Sequence, residues 1–496
     1  MIELETLLNF AARYGWIVLW AITLTVILRI MLHPHRAPSS RIAWVVVVAV
    51  VPIAGIIAYL MVGEINTGRK YRDAQRAARE TLPQATAITA PEAKATPEDL
   101  PARYQPLFRL AGSINGFNAT RANTAVLAAD SNASIDAMVA DIDAAHSNIH
   151  VLFYIWLDDN NGLKVIDALQ RAAQRGVTCR ALVDGLGSRA LVRSKHWQAL
   201  RDAGVHTAVS RPIGSILMSP LRGRSDLRNH RKIAVIDGLI TYCGSQNCAD
   251  AEFRVKPKFA PWVDIMLRFE GPVVTQNQYL FAVDWISASG ESLPDDILKM
   301  TPTAGAFDTN AAGAQMVAQV LGTGPGYRYS AMPEVFCATL HAAREELVIS
   351  TPYFVPDEAM MHSLMSAPLR GIDTTLIVPQ HNDSRFVQAA ARSSYRDLLL
   401  SGVKIYEFGA GLLHAKTLTV DGELSLIGSA NMDRRSLDLN FENNILLYDR
   451  ATTQLIRQRQ QAFLAQSKQV KPDDVADWPT RRRLWNNVAS LMGPLL

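Results

Sequence analysis

Asn229-His-Arg-Lys-Ile-Ala-Val-Ile-Asp-Gly238, continuing to Gly244-Ser-Gln-Asn247, is written a second time as His414-Ala-Lys-Thr-Leu-Thr-Val-Asp-Gly422, continuing to Gly428-Ser-Ala-Asn431. In both copies His is followed by Lys at +2, Asp at +7, Gly-Ser at +14 and +15 and Asn at +17, and the copies stand 184 residues apart throughout. Six matched positions on one ungapped offset mark an internal duplication. The spacing also has a physical reading. In an extended strand alternate side chains share a face, so His230 and Lys232, and likewise His414 and Lys416, are expected to project into one cleft. The apolar runs 233–236 and 418–420 then enter the core, and Asp237-Gly238 and Asp421-Gly422 supply hairpin turns. Return strands over 239–243 and 424–427 bring Ser245, Asn247, Ser429 and Asn431 back beside the His-Lys pairs. Such a set about a pseudo-twofold axis makes a cationic, donor-rich pocket suited to a phosphodiester.

Ahead of these copies the chain opens on two apolar runs, 16–32 and 42–62, separated by a polar loop, 33–41. Their lengths predict a retained transmembrane hairpin over 1–65, kinked at Pro52 and Gly55, with Trp16, Trp20, Trp44 and Tyr59 as interfacial anchors. A cleaved signal peptide fits less well, because Glu3 and Glu5 precede the first run and no small-x-small site follows it. A hairpin puts the N-terminus and the large domain on the same side. That side carries Arg13, Arg69, Lys70, Arg72, Arg76 and Arg79, against Arg36 and Arg41 in the loop and Arg29 at its margin, so the positive-inside rule places the catalytic part in the cytoplasm. The formal net charge of +4 over 496 residues suits an anionic membrane surface without calling for nucleic acid. Cys179, Cys243, Cys248 and Cys337 have no C-x-x-C spacing and read as small core residues with free thiols.

Residues 66–106 read as a juxtamembrane helix followed by a linker rich in Pro, Ala and Thr. Beyond it the pattern becomes α/β: helix around 135–142, strand 149–156, helix 163–172, strand 177–184, then the same order at 335–340, 347–351, 359–369 and 374–379. Two related α/β units with mixed sheets, 107–295 and 310–496, are expected to meet at the motif hairpins. The first unit has 26 residues from Gly204 to His230 where the second has 12 from Gly402 to His414. The extra run Ile213-Gly-Ser-Ile-Leu-Met218, with Arg222, Arg224 and Arg228 after it, reads equally as a lip for acyl chains and headgroups or as an extra packed element. The terminal segment from Arg481 through Trp485 to Leu496 reads as a basic amphipathic helix, on the membrane or packed on the domain.

The chemistry follows from the residue types. Imidazole can serve as nucleophile on one side and proton donor on the other near neutral pH, and two motif copies supply both. Lys232 and Lys416 would neutralise phosphoryl oxygens, with Asn247, Asn431, Ser245 and Ser429 donating further hydrogen bonds. Asp237 and Asp421 complete the motifs and are read chiefly as ordering the hairpins. No metal-ligand spacing occurs, so neither metal nor cofactor is expected.

The paired H-x-K-x4-D motifs with their Gly-Ser-x-Asn segments resemble the phospholipase D superfamily. Leu182-Val-Asp-Gly-Leu-Gly-Ser188, Gly271-Pro-Val-Val274 with Asp284-Trp285, Thr351-Pro-Tyr-Phe-Val-Pro-Asp357, Ala430-Asn-Met-Asp-Arg-Arg-Ser436 and Pro494-Leu-Leu496, with the paired N-terminal helices, extend the resemblance to the bacterial cardiolipin synthases over nearly the whole chain. Gly244-Ser245 departs from the Gly-Gly frequent there. The resemblance implies a multi-pass inner-membrane enzyme that moves a phosphatidyl group from one phosphatidylglycerol to another through a phosphatidyl-histidine. His230 is assigned as nucleophile and His414 as acid/base, although pseudo-symmetry allows the reverse. It also implies a downstream acid behind each histidine: Asp264, 34 residues after His230, and Glu442, 28 residues after His414. Partners are then phosphatidylglycerol and anionic membrane lipids. Hydrolysis by a phospholipase D, or a phosphodiesterase or nuclease activity, are the alternatives within the same chemistry; sequence gives no oligomeric state.

Overall fold

The computed structural model describes residues 2–34, 36, 38–212, 223–224, 226–291, 293 and 315–491. In the first half the strands are Thr120–Leu127 (β1), Asn148–Phe153 (β2), Thr178–Asp184 (β3), His206–Ser210 (β4), Lys232–Ile236 (β5), Ile240–Gly244 (β6) and Met266–Glu270 (β7). In the second they are Met316–Thr323 (β8), Glu346–Ser350 (β9), Asp373–Pro379 (β10), Lys404–Phe408 (β11), Thr417–Val420 (β12), Leu424–Gly428 (β13) and Glu442–Tyr448 (β14), with Ser467–Val470 (β15) at the edge. All belong to one 15-stranded sheet, ordered β15-β11-β10-β9-β12-β13-β14-β8-β1-β7-β6-β5-β2-β3-β4. Apart from β15 the order is the same outward from the antiparallel β1–β8 seam in both directions. The outer strands β2-β3-β4 and β9-β10-β11 run parallel, and the motif hairpins β5-β6 and β12-β13 are antiparallel. The expected α/β repeat is therefore present, with its two halves joined edge to edge in one mixed sheet.

Local chemistry fixes the hairpins. Asp237 and Gly238 have φ of 52° and 66°, and Asp421 and Gly422 have 50° and 63°, the left-handed backbone that Asp and Gly tolerate best in a tight turn. The connecting helices start on side-chain caps: Asp130 accepts from Ala133 N–H, Asp159 from Gly162 N–H, Asp357 from Met360 N–H and Asp449 from Thr452 N–H. Helix Val273–Ser289 is buried from Val273 to Trp285, and its Leu280 and Phe281 share one apolar cluster with Ile233 and Val235 of the first half and Ile427 and Ile445 of the second.

Two expectations change here. Residues 81–106, linker-like in composition, lie on the core through Leu82, Ile88, Leu100 and Tyr104, each at most 7% exposed. The run 213–218 and Arg222 lie outside the described residues, as do Met492 and residues 494–496. The terminal helix Thr480–Leu491 is anchored by Ala489 and Asn486 while Leu484, Trp485, Val488 and Leu491 stay exposed.

The other change concerns the N-terminus: the described residues up to Arg69, together with Gly223 and Arg224, form a separate unit. Tyr14–Leu32 is the one helix among the described residues long and apolar enough to cross a bilayer. The second apolar run is not one continuous helix but two shorter ones, Pro38–Val50 and Pro52–Ala58, the latter prolonged by a π turn, Tyr59–Gly63. Pro52 cannot donate, and Val51 before it sits at φ −128°, ψ 71°, which breaks the helix. The two limbs then lie side by side. A Cβ on Gly55 would fall 2.6 Å from Val47 O, the Trp44 and Tyr59 rings are 5.4 Å apart, and Arg36 donates to Gly63 O. Arg29 holds Glu64 in a bidentate pair at 2.7 and 2.8 Å. Residues 38–63 thus leave and return to the same end of the first helix, whereas the sequence predicts exit at the opposite end.

Candidate active site

The two motif hairpins face each other across the sheet seam, and each histidine is tied to the other half. His230 N–H donates to Phe441 O at 2.9 Å and Phe441 N–H donates to Arg228 O at 2.9 Å. Symmetrically, His414 N–H donates to Val263 O at 2.8 Å, where Leu412-Leu413 pairs in parallel with Trp262-Val263. The acids follow directly after those anchoring residues. His230 Nδ1 lies 2.9 and 3.1 Å from the carboxylate oxygens of Glu442, and His414 Nδ1 lies 2.6 Å from Asp264 Oδ1. Asp264 and Glu442 therefore do stand behind the histidines, but crossed: each serves the histidine of the opposite repeat, the reverse of the pairing expected from chain order. Chain order cannot see this, because the partner is chosen by a backbone bridge across the seam.

Ser245 and Ser429 also take a different place from the one expected. Ser245 Oγ donates to Asp264 Oδ1 at 2.6 Å and Ser429 Oγ to Glu442 Oε2. Their oxygens in turn accept from Ile265 N–H at 3.0 Å and Asn443 N–H at 2.8 Å. A hydroxyl has one proton to give, and with it donated to the carboxylate these serines hold the acids in this structure. The signal was the Gly-Ser pair itself, whose strand end lies beside the acid-bearing strand.

Asp237 and Asp421 lie at the far ends of β5 and β12, five residues from their lysines and so about 16 Å along the strand. Asp237 accepts from the backbone N–H of His146, Ser147 and Asn148 at 2.7 to 2.9 Å. Asp421 does the same for Arg344, Glu345 and Glu346 at 2.8 to 3.0 Å, and Arg103 pairs with it at 3.0 Å. They lock each hairpin to the turn before the neighbouring strand. At that distance they stand apart from the reacting groups with which the motif sets them and take the hairpin-ordering place the sequence chiefly gives them.

Lys232 and Lys416 are buried, each ammonium folding back to its own histidine's carbonyl at 2.6 Å. Burial is the largest influence on both, opposed by the acids, and it lowers Lys232 to about 8 and Lys416 to about 7. Burial likewise lowers His230 to about 4 against the pull of Glu442, and lowers His414 against Asp264. For Asp264 burial acts upward but is outweighed by His414, Lys416 and Ser245, leaving it at about 2, and Glu442 is lowered by the matching set. Lys416 is felt at His230 and Lys232 at His414, so the two halves form one electrostatic site. Asn247 Oδ1 accepts from Ile155 N–H at 3.2 Å; Asn431 Nδ2 donates to Asp433 at 3.2 Å and its Oδ1 has no partner among the described residues.

Several residues beside the site carry no repeat signal. The Tyr154 ring is 4.9 Å from His230, edge-on, and the Trp262 ring 4.6 Å from His414. Arg231, between the motif His and Lys, is fully buried: it pairs with Asp284 at 2.8 Å and donates to the carbonyl of Glu442 at 3.1 Å, while Asn229 also donates to Asp284 at 2.9 Å. Its counterpart is Ala415, so only the first histidine has this ionic support.

Residues 138–257 and 336–464 each match the family model described as "Cardiolipin synthase, PLD-like domain", and residues 18–64 match "Phospholipase D-nuclease N-terminal". The chain is 34% identical over 490 residues to Cardiolipin synthase A of Edwardsiella ictaluri, covering 97% of this chain and 96% of that protein. It is 35% identical over 493 residues to Cardiolipin synthase A of Yersinia pseudotuberculosis, covering 98% of each. Among solved structures, phosphatidylserine synthase of Haemophilus influenzae Rd KW20 shares the fold, with a TM-score of 0.54 at 16% identity over 75% of this chain and 95% of that one. With both PLD-like copies matched and its relatives aligned from end to end, the chain belongs to the cardiolipin synthase family.

Proposed function

We propose that this protein is a membrane-bound phosphatidyltransferase that makes cardiolipin, using one phosphatidylglycerol as donor and a second as acceptor and releasing glycerol. The crossed pair of carboxylate-held histidines carries the reading: one site holds two imidazoles, each oriented through Nδ1 so that Nε2 is the reacting nitrogen. His230 Nε2 attacks phosphorus, the bond to the glycerol oxygen breaks, and His414 protonates that oxygen. A hydroxyl of the second lipid then gives its proton to His414 and attacks phosphorus, and the phosphorus–nitrogen bond to His230 breaks. His230, lowered to about 4, is neutral at neutral pH as a nucleophile must be. The anionic phosphodiester favours protonated His414, whose imidazolium Asp264 stabilises. Lys232, Lys416 and the amides of Asn247 and Asn431 serve the phosphoryl oxygens. The anchor confines enzyme and both lipids to the inner membrane, which raises their effective concentration.

The test is incubation of the purified full-length protein with labelled phosphatidylglycerol as sole lipid. Cardiolipin with equimolar glycerol, absent in His230→Ala, is expected; phosphatidic acid alone would make water the acceptor and the protein a hydrolase. Trapped phospho-enzyme in His414→Ala and none in His230→Ala supports His230 as nucleophile and His414 as acid/base, and the converse exchanges the two roles.

A further inference from the structure

The N-terminal unit has a shape that hydropathy does not predict, and it changes which face of the membrane each part of the chain meets. We propose that only the helix containing Tyr14–Leu32 crosses the bilayer, that residues 38–63 dip into the leaflet on the catalytic side and return, and that the N-terminus lies on the opposite, outer face. Three contacts place the end of the second run beside its beginning and the end of the first helix: Arg29 holds Glu64, Arg36 donates to Gly63 O, and the Trp44 and Tyr59 rings pack 5.4 Å apart, while the Tyr59 hydroxyl, donating to Glu64 at 2.7 Å, steadies that carboxylate. A straight helix over 38–63 would be about 39 Å long, far beyond the reach of an arginine side chain from Arg36 to Gly63.

The apex is built for this turn. Val51 breaks the helix before Pro52, yet Val51 N–H still donates to Val47 O at 3.0 Å and Gly55 N–H to Val51 O at 2.7 Å, so these amides stay satisfied where no water is available. Gly55 admits the opposing limb where any Cβ would meet backbone. The limbs, 13 and 12 residues, are about 20 and 18 Å long, somewhat more than one leaflet of the roughly 30 Å hydrocarbon core. Their outward residues suit lipid: Val46, Val50, Val51, Ile53 and Ile57 are all exposed.

The charge pattern supplies the orientation. In a two-span hairpin Arg36 and Arg41 lie on the face away from the catalytic part, which weakens the charge bias. With the fold-back, Arg29, Arg36 and Arg41 end on the same face as Arg69, Lys70, Arg72, Arg76 and Arg79, and the other face keeps Arg13 with Glu3 and Glu5. The positive-inside rule then places the first set in the cytoplasm and the N-terminus outside.

Single cysteines test this in the full-length protein carrying Cys337→Ser, the other native cysteines being buried. Glu3→Cys, Pro34→Cys and Glu80→Cys proteins are treated with a membrane-impermeant maleimide in intact spheroplasts and again after lysis. Label on Glu3→Cys in intact cells, with Pro34→Cys and Glu80→Cys labelled only on lysis, is expected. Pro34→Cys labelled from outside while Glu80→Cys is protected would restore the two-span hairpin and overturn the proposal. So would a Glu3→Cys protein protected in intact cells, or one that has lost its N-terminus. The readout uses no activity, so it stands or falls apart from the reaction proposed above.

Discussion

At the scale of single residues the crossed clamp makes a prediction that chain order would invert. Glu442→Gln removes the charge behind His230, so phospho-enzyme is expected to fail to form, whereas Asp264→Asn disables His414 and is expected to let labelled phospho-enzyme accumulate. Losses of about 10²- to 10⁴-fold in turnover are expected, as when a histidine loses its orienting carboxylate elsewhere. Exchange of the two phenotypes in a trapping experiment would mean that each acid serves its own repeat. The pH dependence follows from the same burial. Activity rises as His230 loses its proton near pH 4 and falls, in the free enzyme, as the general acid His414, which burial lowers below the ordinary histidine value, and then Lys416 and Lys232, near 7 and 8, lose theirs. A bound phosphodiester anion favours the charged lysines, so the alkaline limb of kcat is expected at higher pH than that of kcat/KM. Coincident alkaline limbs in steady-state profiles would remove the lysines from phosphate contact. That the site is two His-Lys pairs was legible from six matched residues. Which acid meets which histidine was not, because the bridges from Asn229 to Phe441 and from Leu413 to Val263 join positions that no local spacing relates.

At the scale of elements, the hairpins separate what the motif combines. The third motif residue, Asp237 or Asp421, gathers three backbone N–H groups at the end of the hairpin opposite the histidine. Asp421→Asn keeps a residue that accepts positive φ but loses the anionic acceptor, and a destabilisation of about 1–3 kcal/mol is expected. Below its lowered melting temperature the variant should retain most of its activity. An unchanged melting curve with a hundredfold loss of rate would instead put Asp421 in the chemistry. The alternating order of strands and helices was legible because period and caps agree, as at Asp159 and Asp357. In the second apolar run the kink at Pro52 and Gly55 was legible but the fold-back was not: hydropathy over 42–62 is continuous, while the return of the chain depends on the Val51 backbone and on the Gly55 contact with Val47. Composition hides the packing at 81–106 likewise, where a few buried residues, Ile88 and Tyr104 among them, outweigh a polar background.

At the scale of the whole molecule, one sheet runs through both repeats, and the β1–β8 seam is its centre and not an edge. Strand β14, which carries Glu442, pairs with β8, while His230 sits on the other half, so neither half contains a complete histidine–carboxylate pair. Fusion of the repeats in one chain makes both pairs intramolecular. It also lets the copies diverge, as they have at Arg231 and Ala415 and at Trp262 and Asn440, so that two residues of one type acquire different surroundings and different work. A site closed within one chain should not be rebuilt by mixing. His230→Ala and His414→Ala proteins, each inactive, are expected to stay inactive when combined in one detergent or vesicle preparation, because exchanging a half would mean opening the sheet at a seam buried under helix Val273–Ser289. Cardiolipin formed by the mixture, in proportion to the product of the two concentrations, would show that histidines from two chains complete one site.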